Sequence, residues 1–492
     1  MNTPHPDLRI AVLSDNGIER DARILKEIAW AERQYSTVHS FSLRQRGEVP
    51  VAEHLSDHAL FRAAHKPMSK SQAQAAMAGI PALRAGHPPE ITLKRAHLVL
   101  ILLLLLTVGL ALGTSLGTAS LWSAGLAGFA TLVVAVLTLW VQSRHRALAQ
   151  MTEVSPKTGQ PMQIFERYAS QYKQSHALIH LIEAAIRADG PYDILHCHEL
   201  VALESGVAIK RKYGGKLIWD THEIYEDMPE PDPGLAAVAR KTILEATPEV
   251  DAVITVTRGL ADYYHQTHPE LPEATVVMNA APRTEPVTDD GRLRTALDVA
   301  PDTRILFYQG VMTINRGLPT LIDAAALLPE GWVLAMIGDG PLKPELEAQL
   351  RRQTARLGRQ RAWLLPGVAH AELAHWTVGA TLGVMPYENT ALNTLYAGPN
   401  KLWEFPAAGV PFIAPRLPEI ERIVERYGTG FLMPMDFDAQ TIADRVAGLS
   451  DAELAQAREA GAGFLDEMSW ERFTPRLGDV YAGLINREGV QS

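Results

Sequence analysis

The sequence predicts two doubly wound α/β domains that face a cleft, with a hydrophobic helical hairpin inserted into the first domain. Short apolar strands alternate with helices over residues 8–43 and 160–278, and again over residues 304–414. This alternation is typical of parallel sheets with helices on both faces. A long apolar run without charge interrupts the first series, and its length predicts the hairpin.

Bulk composition limits the classes of protein to which the chain can belong. Its 492 residues are enough for two or more domains. The formal net charge of -10 argues against nucleic acid as a partner, because phosphate binding needs clustered Lys and Arg. Cys197 is the one cysteine, which excludes a disulfide framework and a cysteine-based zinc site and fits a reducing compartment.

Periodicity and turn residues place the elements along the chain. Predicted strands cover residues 8–13, 36–43, 193–197, 216–220, 252–256, 275–278, 304–308, 332–337, 362–365, 383–386 and 411–414. The main predicted helices cover residues 18–33, 160–189, 317–328, 344–357, 439–449 and 470–486. We therefore expect a first domain of residues 1–95 and 143–283, a hairpin of 96–142, a linker of 284–303, a second domain of 304–465, and a C-terminal helix of 466–492 that packs back on the first domain.

The hairpin is predicted from length and charge. Residues 98–112 and 121–141 are apolar stretches without acidic or basic residues, joined by a small-residue turn. A membrane span needs about 20 apolar residues, so this segment is too long for one span and suits two. Basic residues on both sides, at 94–95 and at 144 and 146, favour the cytoplasmic side for both ends. A re-entrant hairpin and a buried helical pair in a soluble core are the alternatives.

Five short runs carry a resemblance to a known family. They are residues 18–27 (Ile-Glu-Arg-Asp-Ala-Arg-Ile-Leu-Lys-Glu), 308–318, 337–341 (Ile-Gly-Asp-Gly-Pro), 365–368 and 399–404 (Pro-Asn-Lys-Leu-Trp-Glu). In this order and spacing, the chain outside the hairpin resembles the family 4 glycosyltransferases, which have the GT-B fold of two Rossmann-like domains. The resemblance implies transfer of a sugar from a nucleotide-sugar donor with retention of the anomeric configuration.

Cations near a helix start are the first candidates for the donor site. A departing diphosphate is stabilised by cations and by backbone N–H groups at a helix start. Arg316 stands before a predicted helix, at the position where the family usually has Lys, and keeps that charge. Lys401 is a candidate for a second cation near the phosphates. An exposed surface arginine and a solvated lysine are the alternatives.

Glu404 is the candidate for binding the donor ribose. By resemblance it matches the second Glu of the family's Glu-x7-Glu motif, with Asn400 beside it in the same run. A favourable charge on a helix dipole is the alternative role. The first Glu of the motif falls on Tyr396, which we expect at the donor sugar, and Val311 stands where the family often has Arg. A variant pocket, a different donor and lost activity are all compatible with these departures.

Three glycines complete the predicted donor site. Gly310 follows a strand in the run at 308–318, and Gly338 and Gly340 follow another strand. Glycine at such positions lets backbone approach a nucleotide. A plain turn also explains Gly338 and Gly340.

Histidines at strand ends are the candidates for the acceptor side. His196, His198 and Glu199 follow one another at the end of a strand, and His222 follows the next strand. By resemblance, His222 matches the histidine beside the transferred sugar, and we assign it a catalytic role with Arg316 and Glu404. Structural histidines and a zinc site are the alternatives, because His-x-His followed by His-Glu can ligate zinc.

No metal and no cofactor other than the donor substrate is expected in the transfer. Asp436 and Asp438 match an Asp-x-Asp pattern that binds metal in the other major transferase fold. Here the pair precedes a predicted helix, so an Asp N-cap is the simpler interpretation.

The sequence as a whole predicts a glycosyltransferase at the inner (cytoplasmic) membrane, with both domains on the cytoplasmic side. The hairpin belongs to the acceptor domain, which suggests a lipid-linked or cell-surface glycan acceptor and other glycan-assembly proteins as partners. A nucleotide-sugar 2-epimerase, using cleft carboxylates for proton transfer, is one alternative. A non-catalytic scaffold in a glycan assembly complex is the other.

Overall fold

The computed structural model of the protein describes residues 8–15, 21–43, 52–54, 59–63, 161–229, 233–283, 285 and 287–486. Within these ranges the chain forms two sheets with helices packed on both faces. Alternate residues of one strand enter different cores: Ile10 and Val12 lie in one buried cluster, Ala11 and Leu13 in another. Strand side chains point alternately to opposite faces, so both faces of this sheet are covered.

The first sheet has eight strands in the described ranges. In chain order they are β1 (Arg9–Leu13), β2 (Thr37–Leu43), β3 (Ala52–His54), β4 (Ala59–Ala63), β5 (Ile194–His198), β6 (Lys216–Thr221), β7 (Ala252–Thr255) and β8 (Ala274–Val276). Their spatial order is β3-β4-β2-β1-β5-β6-β7-β8. Every neighbouring pair is parallel except β3 and β4 at the edge.

The second sheet is parallel throughout and has six strands among the described residues. They are β9 (Arg304–Gln309), β10 (Trp332–Ile337), β11 (Ala362–Leu365), β12 (Leu382–Val384), β13 (Phe412–Pro415) and β14 (Gly430–Met433). Their spatial order is β11-β10-β9-β12-β13-β14, which reverses direction between β9 and β12. Parallel sheets with such a switch point bind ligands beyond the carboxyl ends of the strands.

The helices connect and cover these strands. They are α1 (Ala22–Gln34), α2 (Pro161–Asp189), α3 (Glu199–Tyr213), α4 (Pro233–Ala246), α5 (Arg258–Thr267), α6 (Arg292–Leu297), α7 (Leu318–Ala325), α8 (Lys343–Leu357), α9 (His370–Thr377), α10 (Leu392–Leu395), α11 (Lys401–Ala407), α12 (Pro418–Tyr427), α13 (Ala439–Ala447), α14 (Asp451–Met468) and α15 (Trp470–Asn486).

Capping corrects one predicted helix boundary, and packing reveals a helix within the predicted linker. Helix α1 begins at Ala22 rather than at residue 18, because the Asp21 carboxylate accepts hydrogen bonds from the N–H groups of Arg23 and Ile24 at 3.0 and 3.2 Å. The predicted linker at 284–303 contains helix α6. Its buried leucines, 293 and 297, join the core, and composition rich in turn residues did not reveal that contact.

The hairpin predicted at 96–142 lies outside the described residues. Among the helices that the structure does describe, none is long and apolar enough to cross a membrane. The described elements on either side of this segment, β4 and α2, both belong to the first domain, where α2 packs against β2, β4 and α3.

Helix α15 returns from the second domain to the first. The Tyr481 hydroxyl lies 2.7 Å from Nδ1 of His196, and the Tyr481 ring packs edge-on against Trp30. The N–H of Trp470, the first residue of the helix, donates to the carbonyl of Ala281 at 2.9 Å. The last helix therefore closes one core that includes residues of both domains.

Candidate active site

A cleft of about 960 Å³ lies between the carboxyl ends of the two sheets. Six of the residues predicted from the sequence line it: His222, Gly310, Arg316, Asn400, Lys401 and Glu404. They follow β6 or β9, or stand at the starts of α7 and α11. The chain therefore brings residues nearly 200 positions apart into one cavity, at the place where tandem α/β domains bind their ligands.

Arg316 is held in the cleft by the turn that begins α7. The next residue, Gly317, has φ of +58°, and a Cβ there would meet the Pro386 carbonyl oxygen at 2.4 Å, so only glycine fits. The Arg316 guanidinium lies over the ring of Tyr387, 4.4 Å from its centroid. This cation–π contact fixes the charge at the wall of the cleft.

Lys401 brings a second cation to the same tyrosine. Its Nζ lies 3.3 Å from the Tyr387 hydroxyl and 5.6 Å from the ring centroids of both Tyr387 and Tyr308. Burial lowers the pKa of Lys401, but the two tyrosine hydroxyls and Glu404 outweigh it and raise the pKa above its usual value. Burial raises the pKa of Tyr387, but Lys401 and Arg316 bring it below its usual value. The ammonium group therefore stays charged in a position to meet an anion.

Glu404 is fixed at the cleft by a chain of polar side chains. Gln309 Nε2 donates to Glu404 Oε2 at 2.7 Å, and Thr377 Oγ1 donates to Gln309 Oε1 at 2.6 Å. The carboxylate stands in the first turn of α11, where the helix dipole favours negative charge. An ionised carboxylate accepts several hydrogen bonds, so Glu404 can take sugar hydroxyl donors as well as Gln309.

Asn400 joins the two domains beside this site. The Asn279 amide donates to Asn400 Oδ1 at 2.5 Å, and Lys26 Nζ donates to Asn279 Oδ1 at 3.2 Å. Asn279, which no sequence motif indicated as a site residue, lines the cleft just after β8. This hydrogen bond connects the donor and acceptor walls of the cleft.

Gly338 and Gly340 were predicted at the nucleotide, and the structure places both in the loop after β10. Neither lines the cleft. A Cβ at Gly338 would meet the carbonyl oxygen of Gly310 at 2.0 Å, and one at Gly340 would meet that of Met312 at 2.3 Å. The two glycines let the loop after β10 pack closely on the loop after β9, which carries Gly310 and Val311. Their close packing supports the backbone of the loop that lines the cleft.

Tyr396 is also placed differently from the prediction. Its ring packs against Gly259, where a Cβ would meet Cδ1 of the ring at 2.3 Å, and its carbonyl accepts from Thr257 Oγ1 at 2.8 Å. The ring packs against a small apolar cluster formed by Ile224, Val256 and Leu260. Tyr396 therefore joins the domains, while Val311 stands in the cleft with 60% of its surface exposed.

His222 lies between two carboxylates on the acceptor wall. Its Nδ1 is 2.9 Å from Glu199 Oε1, and its Nε2 is 3.3 Å from Asp220 Oδ1. Burial lowers the pKa of His222, but Glu199 and Asp220 outweigh burial and hold the pKa well above its usual value. His222 is therefore an imidazolium. Glu199 adopts φ of +71°, which is uncommon for a residue other than glycine, and this conformation places its carboxylate against the histidine.

Two further carboxyl groups share this wall. Burial and the neighbouring Glu199 raise the pKa of Asp15 and of Glu223 to about 7. Glu223 lines the cleft next to His222. Both groups can exchange protons near neutral pH, which gives the acceptor side hydrogen-bond donors and acceptors.

The prediction that His196 and His198 face the acceptor is corrected. Their side chains are 1% and 0% exposed and lie beneath the cleft. Both belong to β5, and the sheet covers them. His196 stacks on His198 with ring centroids 4.5 Å apart. Burial and the neighbouring His196 lower the pKa of His198 well below its usual value, so His198 is neutral.

Tyr387 is the most informative residue that the sequence analysis missed. It follows strand β12, and both Arg316 and Lys401 contact its ring. None of the five sequence runs that resemble the family includes it. The rule that ligands meet the carboxyl ends of strands could have found it, since it lies three residues after the strand. Asp438, by contrast, caps helix α13 by accepting from the N–H of Thr441 at 2.8 Å, as the sequence predicts.

Family models match both halves of the chain. A model described as "Glycosyltransferase Family 4" matches residues 133–281, and one described as "Glycosyl transferases group 1" matches residues 303–451. D-inositol 3-phosphate glycosyltransferase from Xylanimonas cellulosilytica is 24% identical over 323 residues, covering 62% of this chain and 75% of that protein. The matching enzyme from Jonesia denitrificans is 25% identical over 321 residues, covering 60% and 73%.

Solved structures share the fold. Sucrose-phosphate synthase from Thermosynechococcus elongatus superposes with a TM-score of 0.64 at 15% identity, covering 98% of this chain and 100% of that one. Anabaena HepE in complex with UDP and glucose gives 0.58 at 15% identity, covering 96% and 99%. The predicted pair of Rossmann-like sheets in a GT-B arrangement is therefore confirmed. The chain belongs to glycosyltransferase family 4 and is a hexosyltransferase-like enzyme that transfers sugar from a nucleotide-sugar donor with retention of configuration.

Proposed function

We propose that the enzyme transfers a sugar from a UDP-sugar to a lipid-linked or cell-surface glycan acceptor at the cytoplasmic face of the membrane. The arrangement of charged residues in the cleft supports the proposed nucleotide-sugar donor. Arg316 and Lys401 meet on the ring of Tyr387, and Glu404 and His222 line the same cleft. Paired cations suit a diphosphate, and the carboxylate suits a ribose.

The two cations act where charge develops. As the bond between the anomeric carbon and the diphosphate oxygen breaks, the bonding electrons leave with the diphosphate. Arg316 and Lys401 stabilise that charge in a partly buried site, where fixed charges act more strongly than in water. They supply the positive charge that a metal supplies elsewhere, so the transfer needs no metal ion. We expect initial rates to be unchanged by brief EDTA treatment or by added Mg²⁺; a strict requirement for Mg²⁺ would contradict this.

UDP is proposed as the nucleotide because several proteins with this fold were solved with it. They include HepE with UDP and glucose, and a protein from E. coli, described as trehalose-6-phosphate, bound with UDP-2-fluoro glucose. The cleft of about 960 Å³ has room for such a donor and part of an acceptor.

The acceptor proposal rests on the position of the apolar segment. Residues 96–142 carry no Asp, Glu, Lys or Arg and stand between β4 and α2, two elements of the acceptor domain. A segment that leaves and re-enters one sheet must begin and end on the same side of a membrane. An apolar anchor there brings the acceptor wall close to lipid, and both domains then lie on the cytoplasmic side, within reach of other glycan-assembly proteins.

A transfer assay tests the function. The full-length enzyme is incubated with UDP-sugars and with matched acceptors that carry the same glycan, either on a polyprenyl-type lipid or on a short soluble tail. We expect UDP release and an α-linked product with α-donors, and a higher kcat/KM for the lipid-linked acceptor. Transfer to the soluble acceptor alone would contradict the lipid proposal. UDP release only by conversion of the donor, without any acceptor product, would contradict glycosyl transfer.

A further inference from the structure

A cluster of four buried side chains lies beneath the cleft, next to His222. Glu27 comes from α1, His196 and His198 from β5, and Asp220 from β6. Each side chain is at most 2% exposed. One nitrogen or carboxylate oxygen from each residue lies within 4.8 Å of the corresponding atoms of the other three.

The distances in this cluster are long for hydrogen bonds. His198 Nε2 is 3.3 Å from Glu27 Oε2, His196 Nε2 is 3.5 Å from Asp220 Oδ2, and His196 Nε2 is 3.7 Å from Glu27 Oε2. N–H···O hydrogen bonds are about 2.7–3.2 Å long. Around a tetrahedral zinc ion with bonds of about 2.0–2.1 Å, adjacent ligand atoms are roughly 3.3 Å apart. The spacing fits atoms that share a metal ion better than atoms that share a proton.

The inner atoms of the cluster also lack hydrogen-bond partners. Oε2 of Glu27, Nε2 of His196 and both ring nitrogens of His198 are buried without a hydrogen bond, whereas Oε1 of Glu27 pairs with the Arg23 guanidinium at 3.1 Å. Buried polar groups in native proteins are nearly always satisfied, and each exception needs an explanation. A metal ion at the centre would satisfy the orphaned atoms of Glu27, His196 and His198 at once.

The outer atoms are held as the partners of metal ligands usually are. Nδ1 of His196 lies 2.7 Å from the Tyr481 hydroxyl, which leaves Nε2 to face the cluster. The Arg23 guanidinium donates to both Asp220 oxygens, at 3.1 Å to Oδ1 and at 2.8 Å to the inward-facing Oδ2, and to the Val277 carbonyl at 2.8 Å. Such outer contacts orient the ligands and fix the tautomer of the histidine.

We propose that Glu27, His196, His198 and Asp220 bind one structural Zn²⁺ ion. Two imidazoles and two carboxylates in a small, closed cage are the ligand types and number that zinc takes in tetrahedral sites. The site is buried and offers no open position, so the ion does not touch the donor or acceptor. It ties α1 to β5 and β6, and through Tyr481 to α15, directly under the wall that carries His222.

Metal analysis of the full-length protein tests the proposal. The protein is produced with zinc supplied, dialysed, and analysed for metals as wild type, His198→Ala and His268→Asn. His268 is the matched control, because it is equally buried but makes an ordinary 2.7 Å contact with Glu226. We expect about one zinc per chain in the wild type and in His268→Asn, and at least a tenfold loss in His198→Ala.

A second measurement covers the case in which His198→Ala does not fold. Tyr481→Phe keeps the aromatic ring and removes only the hydroxyl that contacts His196. We expect its zinc affinity to fall about tenfold, the usual effect of losing an outer contact. In the wild type, Co²⁺ exchanged for zinc should give the visible absorption of a tetrahedral site. Wild-type protein with no zinc and no such absorption, or equal zinc in wild type and His198→Ala, would overturn the proposal.

Discussion

Two cations share one aromatic ring at the donor wall. Arg316 stacks on the face of Tyr387, and Lys401 reaches the hydroxyl of the same residue. Like charges so close together repel each other, and this repulsion is relieved when a diphosphate binds between them. The pair is therefore set for a ligand with two or more negative charges.

Replacing Arg316 tests this residue directly. We expect Arg316→Ala to lower kcat by about 100-fold, the usual effect of removing one group that stabilises charge in the transition state. Arg316→Lys should keep more of the rate, since the charge remains. Arg351→Ala, at an exposed position on α8, is the control. Equal rates for Arg316→Ala and the control would show that the guanidinium does not meet the diphosphate.

If Glu404 binds the ribose, nucleotides that lack a ribose hydroxyl should bind more weakly. If its carboxylate accepts the ribose hydroxyls, wild-type enzyme should bind UDP about 10-fold or more tightly than 2′-deoxy-UDP or 3′-deoxy-UDP. In Glu404→Gln this preference should largely disappear, as titration calorimetry can measure. Glu345→Gln, another glutamate in the first turn of a helix, is the control. A preference that survives in Glu404→Gln would assign the ribose contact to another residue.

The raised pKa of His222 should make the free energy of unfolding depend on pH. Its pKa is raised in the folded protein, chiefly by Glu199 against the opposing effect of burial. The imidazolium therefore contributes stability that is fully present below the unfolded pKa of about 6.5 and is lost as pH rises through the higher folded pKa.

Urea unfolding of wild type and His222→Gln at several pH values measures this contribution. We expect wild type to be more stable by about 1.5–3 kcal/mol at pH 6, as for a hydrogen bond to a charged group, and the difference to shrink at alkaline pH. A difference that grows with pH would contradict the imidazolium assignment.

At the scale of elements, periodicity predicts strands better than helix ends. Strands β10 and β11 have the predicted bounds, because each is a short apolar run between turn residues. The short strand β3 has no such pattern and was missed. Asp21 shows why the start of α1 was misplaced: the cap is a matter of local geometry, and several polar residues nearby could have served.

Loop packing is another feature that sequence could not supply. The sequence predicts glycines near the nucleotide, but the distances show that Gly338 and Gly340 serve a neighbouring loop. The buried cluster around His196 was not predicted either, because β5 is buried on both faces and its sequence does not show what covers the face that carries its histidines.

Gly310 tests the packing of the loop after β9. It has φ of +130°, and a Cβ there would meet Nζ of Lys401 at 2.8 Å. We expect Gly310→Ala to destabilise the fold by about 1–3 kcal/mol and to weaken UDP binding, because the lysine must move. Gly463→Ala, in helix α14 where an added Cβ meets nothing within 4 Å, should instead stabilise by about 0.5–1 kcal/mol. Unchanged UDP affinity in Gly310→Ala would separate Lys401 from the donor site.

At the scale of the whole molecule, the two domains share a core. One buried cluster contains residues of both sheets together with α15, and the Asn279–Asn400 contact crosses the cleft. The architecture could be predicted because strand–helix alternation fixes it. The contacts between domains could not, because they join residues more than 100 positions apart and have no local pattern.

We expect the apolar segment at residues 96–142 to attach the protein to the membrane. Replacing residues 96–142 with a flexible Gly–Ser linker should release the protein from membranes while UDP still binds, because the donor domain is separate from the insertion. Sedimentation of cell membranes, followed by UDP titration of both fractions, measures this. Membrane attachment that persists in the deletion variant would show that another part of the chain anchors the protein.

The binding of nucleoside diphosphates tests the central claim most directly. Thermal unfolding of the wild type is measured with UDP, UDP-sugars, GDP, ADP and uridine, and repeated with Arg316→Ala. A ligand at 100 times its Kd stabilises the native state by about 2.7 kcal/mol, so a true ligand gives a clear rise in Tm. We predict that UDP and at least one UDP-sugar raise the Tm of the wild type, that uridine does not, and that Arg316→Ala loses most of the shift. No shift with any nucleoside diphosphate, or an equal shift in wild type and Arg316→Ala, would contradict the assignment of the cleft.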